Sequence, residues 1–496
     1  MKTLIPRTLD IRILDSDYTF SGVVRSLVMS ENLNVLPFGS CTLEIEYKHE
    51  DLKHFVVGSY ITIKVSDGSS FFGVLTEVSH TIQRDIHGVP LNTATLRCQP
   101  WGYMFQKGEF KQTLNREIGK LKNTSTSAIF KVSDYNEGIL KVLREQLSLK
   151  DDPADVLQQF IKTLGHYLLP KNLGELGQYI KVYDGSDFSD LALYSDGDTA
   201  DVIKGMLLTQ YQGAYVNNMS HWKIISQLFN TFSRLFELFC FTTTADDPRN
   251  RFEEETGLRL GIIYRYKPYN PKFPPTKIGL SRYTDNVASR YFFEDHFEVK
   301  ENAVRFRLLS NKNITQFKYE FNESDHVNLV FIENPFANSD GHKHNMFRNN
   351  TIPVFDADDI NKKGLRSFST VTPFVTSKSN PQKKLTIQNA LAERAYITFA
   401  KGSEFCTGSI TVVPTNIALP LPVGQWFFMI EGPYEFYAYC TEVQKIYRMT
   451  PQGVLRIEYI YSYERGSFGD LIAFFEHGEI SEENQSTQRR KNTKKT

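Results

Sequence analysis

Apolar and polar residues alternate through the first hundred positions with the two-residue period of half-buried strands. Ser40–Tyr47 places Cys41, Leu43 and Ile45 on one face. Tyr60–Val65 reads as another strand, stopped by Asp67-Gly68, a pair suited to a tight turn. Phe71–Ile86 reads as one long strand, His87-Gly88-Val89-Pro90 turns the chain, and Leu91–Cys98 returns it. The pattern predicts an antiparallel meander of long hairpins, closed by the segment from Gln99 to Tyr103.

From about residue 108 the pattern changes. Helical periodicity appears over Asp134–Leu149 and Ala154–Leu169, and the Gly- and Asp-rich stretch Asp184–Asp198 reads as loop. A further helix is predicted from Ser220. Trp222, Ile225, Leu228, Phe229, Phe232, Leu235, Phe236 and Phe239 recur at helical spacing, and core packing explains such a stripe. Phe239–Thr244 and Leu258–Tyr266 read as strands, separated by a charged loop with Asp246, Asp247, Pro248 and Glu253–Glu255. Two or three strands are expected over 291–321, an irregular surface excursion over Asn334–Asn380, a helix over Ile387–Ala400, and strands again from Gly408 to Tyr463. The segment Glu479–Thr496 is nearly devoid of apolar residues, is basic from Arg489, and is expected to be disordered.

Two distant parts of this pattern resemble each other. Val57-Gly58-Ser59-Tyr60-Ile61 matches Val423-Gly424-Gln425-Trp426-Phe427, and Thr76-Glu77-Val78 matches Thr441-Glu442-Val443. Gly58 precedes Thr76 by 18 residues and Gly424 precedes Thr441 by 17; from Val78 to Gly88 and from Val443 to Gly453 the distance is ten in both. Leu43 and Ile410 fall at matching places upstream. Internal repeats of this kind predict two copies of one β-module in a single chain. Three such chains around an axis would present six modules, a closed symmetric ring of the kind oligomers favour. Gly58, Gly73, Gly88, Gly424 and Gly453 are the expected turn or close-approach positions.

Composition narrows the classes. At 496 residues the chain exceeds one hydrophobic core and predicts roughly two to four domains. Its 37 Phe and 25 Tyr suit a β-rich protein with much surface to bury. Lys plus Arg and Asp plus Glu balance at 57 each, so no broad nucleic-acid footprint is expected. Cys41, Cys98, Cys240, Cys406 and Cys440 are scattered and make no C-x-x-C pair, the usage of a reduced protein with buried thiols. The first residues lack a signal-peptide core, and no apolar run approaches a bilayer span.

Three segments carry a resemblance to a known family. They are Gly73–His80 with Thr95–Tyr103; Ser220–Phe239 with Leu258–Pro268; and Val423–Trp426 with Glu435–Val443 and Leu455–Arg465, followed by Gly466. Together they resemble the baseplate hub family of contractile-tailed phages and the related hub parts of type VI secretion spikes and other contractile injection systems. The resemblance spans most of 20–110 and 220–467 and lies in strands and turns, not in catalytic residues. It implies a mainly β fold with α+β insertions, built from two tube-like antiparallel β-barrel or sandwich modules related by internal duplication. The implied organisation is a first tube-like domain at 1–107, a mixed insertion at 108–285, strands of the second tube-like domain at 286–324, an excursion at 325–385, the rest of the second domain at 386–470, and an extension at 471–496. It also implies a homotrimeric virion protein of the tail baseplate, made in the host cytoplasm and without membrane insertion of its own. Such a hub joins the tail tube above to a spike below, leaves wedge or tape-measure contacts open, and surrounds an axial channel for DNA. A channel that passes DNA without gripping it should be polar or acidic.

Chemistry-bearing motifs are sparse. Gly119-Lys120 lacks the glycine spacing of a phosphate-binding loop, and neither a G-x-S-x-G elbow nor an H-E-x-x-H helix occurs. His342 and His344, with Asp340 and His326, make a weak metal pattern, and Asp356, Asp358 and Asp359 lack the glycine and distal glutamate of a calcium loop. Glu253-Glu254-Glu255 reads as a solvated charge run rather than the spaced carboxylates of a glycosidase. No catalytic, cofactor or metal residue is therefore expected. The competing readings are a tail-associated peptidoglycan hydrolase and a glycan-binding adhesion protein. Against the latter, Phe71, Phe72, Trp426, Phe427 and Phe428 lie in strand runs that predict burial.

Overall fold

The computed structural model describes residues 9–33, 36–84, 88, 90–107, 109–110, 157–159, 161–162, 179–184, 219–229, 236–266, 307–309, 313–322, 326–333, 354–355, 357–371, 406–414, 420–431, 434–449 and 455–469. The helices expected at 134–149 and 387–400, the basic C-terminal segment and Gly453 lie outside them.

The amino-terminal meander forms β1 (Asp10–Ile13), β2 (Tyr18–Thr19), β3 (Val23–Asn32), β4 (Gly39–Glu46), β5 (Tyr60–Lys64), β6 (Ser70–Arg84) and β7 (Pro90–Pro100). Alternation holds in β4, where Cys41, Leu43 and Ile45 are buried between less buried neighbours. A short helix α1 (Met104–Lys107) and strand β8 (Glu109–Phe110) follow. The insertion contributes β9 (Lys181–Asp184), β10 (Met219–Ser220), α2 (His221–Phe229), β11 (Phe236–Thr244), α3 (Arg251–Thr256) and β12 (Leu258–Tyr266). Beyond it lie β13 (Arg307–Leu308), β14 (Ile314–Phe321), β15 (Leu329–Glu333), β16 (Val354–Phe355), α4 (Ala357–Lys363) and β17 (Ser367–Val371). The chain then returns as β18 (Cys406–Val412), β19 (Trp426–Glu431), β20 (Tyr434–Met449) and β21 (Leu455–Gly469).

The fold is mainly β. Among the described residues, thirteen strands join in one sheet of order β14-β18-β21-β20-β3-β4-β7-β6-β5-β1-β2, with β19 on β20 and β13 on β19. The pairings are antiparallel except β13 with β19. The core is aromatic in the carboxy-terminal half, where Phe317, Phe436, Tyr463 and Phe468 meet with ring centres 4.8 to 6.4 Å apart. Phe436 meets Phe317 and Tyr463 edge-on, and such contacts add to the burial energy of the rings. The insertion sheet β11-β12-β9 packs on the first half: the Trp101 indole donates to the Phe241 carbonyl at 3.2 Å, and Phe72 meets Phe252 edge-on at 5.3 Å.

Three sequence expectations change. The helix beginning near Ser220 does not run to Phe239: α2 ends at Phe229 and Phe236 already pairs with Tyr266. A nearly continuous apolar run fits helix and buried strand alike, and pairing with β12 decides. Leu238, Phe239, Cys240 and Phe241 are all buried, so both faces of β11 are covered. The charged loop before Leu258 contains α3, capped by the Asn250 side chain, which accepts from the Glu253 amide at 3.0 Å, and ended by Gly257 at φ +63°. The stretch expected to be irregular from Asn334 holds β16, α4 and β17, of which β16 and β17 flank β15 in a three-stranded sheet. Of the helix expected over Ala154–Leu169, residues 157–159 and 161–162 are helical.

Candidate functional site

The two halves of the main sheet follow one strand order. In the first it is β3-β4-β7-β6-β5, and in the second β14-β18-β21-β20-β19. The registers match over the middle of the ladders, and the second half adds two bulges of its own, between Cys406 and Gly408 and between Tyr437 and Tyr439. Leu43 faces Leu27 and Leu96, and Ile410 faces Phe317 and Tyr461. Bulges fall at matching points: between Val24 and Ser26 and between Ile314 and Gln316, and again at Thr76 and at Thr441. The two Val-Gly turns are bonded alike. The Gly58 amide donates to the Leu75 carbonyl at 2.7 Å and the Leu75 amide to the Ser59 carbonyl at 2.9 Å. The Gly424 amide donates to Cys440 at 2.8 Å and the Cys440 amide to Gln425 at 2.9 Å. The halves differ beyond this frame: β5 takes β1 antiparallel, whereas β19 takes β13 parallel.

The glycines singled out in the sequence fall in two groups. Gly58, Gly88 and Gly424 have φ of +99°, +77° and +75°, in the region that side chains disfavour. Gly73 instead lies where an added Cβ would come within 2.1 Å of the Gln99 carbonyl oxygen, so close approach of β6 to β7 requires it.

The halves meet where β20 pairs with β3 from Glu442↔Asn32 to Arg448↔Ser26. Two polar devices sit at this seam. Lys445, 1% exposed along its side chain, reaches Glu31 with Nζ 2.5 Å from Oε1. Asp67, in the turn after β5, accepts the hydroxyls of Tyr447 and Tyr459 on one oxygen at 2.6 Å each, and its other oxygen accepts the Ser69 amide at 2.7 Å. Burial, then the Asp67 charge, pushes both phenols well above their ordinary value. A carboxylate so surrounded links loop 65–69 of one half to two strands of the other. Sequence spacing gives no signal for it, because its members lie about 380 to 392 positions apart.

Outside the seam, Glu253 corrects the solvated-run expectation. It is buried and paired with Arg259, both side chains 5% exposed, with Arg259 Nη2 2.9 Å from Glu253 Oε2 and also donating to the Asp247 carbonyl at 2.7 Å. Only its neighbours behave as expected, as in the surface pair Arg251–Glu255. Burial of a carboxylate is tolerated because a guanidinium faces it. This pair floors a cleft of about 410 Å³ whose walls include Gln158, Lys162, Lys181 and Arg249.

His326 and Asp359, taken in the sequence as parts of two separate weak metal patterns, lie together. His326 Nε2 donates to Asp359 Oδ2 at 2.6 Å, and Asn328 donates to the same oxygen at 3.0 Å and to the Gly364 carbonyl at 2.8 Å. The hydrogen bond from His326, aided by Asn328 and Lys363, holds the Asp359 carboxyl down at about 2. His342, His344 and Asp340 lie outside the described residues. Among the described residues no three His, Cys, Asp or Glu side chains gather as metal ligands, and no helix is long and apolar enough to cross a membrane. All five cysteines are free and buried, and burial pushes the Cys41, Cys240, Cys406 and Cys440 thiols up. Phe71, Phe72, Trp426 and Phe427 are buried as expected; the Phe428 side chain lies outside the described ones.

No family model and no curated protein matches the chain. Solved structures that resemble it include two tail proteins and a component of the type VI secretion system. A tail protein from Neisseria meningitidis MC58 is 10% identical with a TM-score of 0.43, covering 92% of this chain and 96% of its own. The 43 kDa tail protein of prophage MuSo2 from Shewanella oneidensis is 11% identical with a TM-score of 0.41, covering 92% and 98%. An Escherichia coli component of the type VI secretion system is 8% identical with a TM-score of 0.34, covering 92% and 76%.

Proposed function

We propose that the chain is a structural hub of a contractile tail baseplate: two copies of one module per chain, three chains per ring, six modules around an axis. A ring of this kind adapts a threefold spike to a sixfold tail tube and leaves a channel through which DNA passes. The observation that supports this reading is the shared strand order of the two halves within one continuous sheet, with two bulges at matching points. A chain that repeats one building unit presents two equivalent surfaces, and equivalent surfaces are what a ring of higher symmetry docks on. The role is structural, not enzymatic. The large aromatics are spent on the core, with Trp101 and Trp426 each 2% exposed, which leaves no stacking platform for a sugar at these positions.

Native mass spectrometry of the purified protein tests the reading. A trimer that further binds tube or spike protein supports it; a monomer at micromolar concentration that ignores both sinks it. Zymography on purified cell wall addresses the hydrolase alternative, for which a cleared band is the supporting result.

A further inference from the structure

The sheet has two long edge segments without a partner strand among the described residues. One is the outer edge of β6 from Glu77 onward, beyond its pairing with β5; the other is the outer edge of β14. Their equivalents are not edges. The counterpart of this part of β6 is Glu442–Arg448 of β20, and the counterpart of β14 is β3, and these two pair with each other inside the chain.

The side chains carry the same contrast. Ile82 matches Tyr447, since Val78 and Val443 occupy equivalent registers; Tyr447 is 1% exposed and Ile82 is 68% exposed. Tyr319 matches Met29, since Phe317 and Leu27 are equivalent; Met29 is 3% exposed and Tyr319 is 51% exposed, with Phe321 beside it at 57%. These are among the few large apolar residues the described chain exposes. They sit where the matching half buries its side chains in the β20–β3 seam. An open strand edge with an apolar stripe invites a further strand.

We infer that the β6 edge of one chain pairs antiparallel with the β14 edge of the next in the register of the internal seam. This rests on the ring reading above and names its joint. Transferring the pairs of β20 with β3 puts Ile82 opposite Phe317 of the neighbouring copy, His80 opposite Tyr319, Val78 opposite Phe321 and Ser79 opposite Glu320. The buried Lys445–Glu31 pair of the internal seam is replaced by imidazole and aromatic rings, so the two seams differ in chemistry while sharing a backbone. Each chain offers one edge of each kind, at separate places in the sheet. The contact is therefore heterologous: it closes into a ring where the rotation between neighbouring chains is a third of a turn, and it does not make a two-fold dimer.

Cysteine cross-linking tests the register, since directly opposed residues on paired strands bring Cβ atoms within disulfide reach. The doubly substituted chain Ser79→Cys/Glu320→Cys, oxidised in its assembled state, should give a covalent ladder that ends at three chains. The off-register chain Ser79→Cys/Gln316→Cys should give none. A trimer by native mass that cross-links off-register or not at all overturns the seam and leaves the ring standing. A parent chain that stays monomeric overturns both. Ile82→Asp or Tyr319→Asp should raise the concentration at half-assembly by about thirtyfold or more, with the circular dichroism melt of the monomer unchanged. Assembly that tolerates both carboxylates counts against the seam.

Discussion

Thr76 and Thr441 sit on the same bulge in the two halves of one sheet, and each donates its hydroxyl to the carbonyl across the ladder: Thr76 to Arg97 at 3.0 Å, Thr441 to Ser462 at 3.3 Å. A bulge leaves one residue out of the ladder, and the hydroxyl recovers a bond at that point. Thr76→Val and Thr441→Val should each cost about 1 kcal/mol in urea denaturation. Separate sites sharing no partner add, so the double variant should lose about the sum to within about 0.5 kcal/mol. A cost at only one position would show that the two bulges are not equivalent in energy.

The matching Val-Gly turns and Thr-Glu-Val bulges were legible because turns and bulges constrain residue type. Gly58 and Gly424 need positive φ, and Thr-Glu-Val recurs where the chain must bulge and then re-enter the ladder. The seam was not legible. Pairing of β20 with β3, the Lys445–Glu31 pair and the Asp67 cluster are long-range choices among many strands of similar alternation. Phe236 lies in a strand rather than the expected helix for the same reason: an apolar run takes the element its tertiary partner offers. Around α3 the signal was present and local, since Asn250, Glu253 and Gly257 spell a capped short helix within the acidic run.

Gly73 and Gly88 should respond differently to the same substitution. An alanine Cβ at Gly73 meets the Gln99 carbonyl oxygen at 2.1 Å, a backbone atom that cannot step aside without opening β6 from β7. At Gly88 nothing lies within 4 Å, and only the φ of +77° opposes a side chain. Gly88→Ala should cost about 1 kcal/mol, whereas Gly73→Ala should cost several times more and lower soluble yield. Thermal melts of the two variants decide it; equal losses would contradict the close approach of the strands.

The Asp67 cluster predicts a steep loss on neutral replacement. Asp67 is 5% exposed, one of its oxygens accepts two phenols and the other accepts the Ser69 amide, so Asp67→Asn turns a donor NH2 toward either the phenols or the Ser69 N–H. A destabilisation of about 3 kcal/mol follows. Tyr447→Phe and Tyr459→Phe share that acceptor and should be non-additive in a double-mutant cycle. Both phenols are raised in the fold, so their contribution is full below the ordinary tyrosine value of 10.0 and declines as pH rises above it. Urea melts from pH 8 to 11 should show a falling alkaline limb that flattens in the double Phe variant; an unchanged limb would remove the carboxylate–phenol link.

Asp359 predicts the opposite limb. The hydrogen bond from His326 holds its carboxyl at about 2, against an ordinary 3.8, with Asn328 and Lys363 adding to the effect. A lowered carboxylate value contributes stability that is complete above about 4 and is lost as pH falls towards 2. Asn328 joins the carboxylate to the Gly364 carbonyl, and the Arg366 amide donates to Asn328 at 2.7 Å, so the loss should be felt where α4 meets β15 and β17. Hydrogen exchange of the Leu329–Glu333 and Ser367–Val371 amides should quicken between pH 4 and 2 beyond the intrinsic trend, while amides of β4 and β7 do not follow. Asp359→Asn should weaken local protection by about 1.5 to 3 kcal/mol at neutral pH and abolish the acid dependence. If the same acid-induced opening persisted in that variant, the pH response would belong to another group.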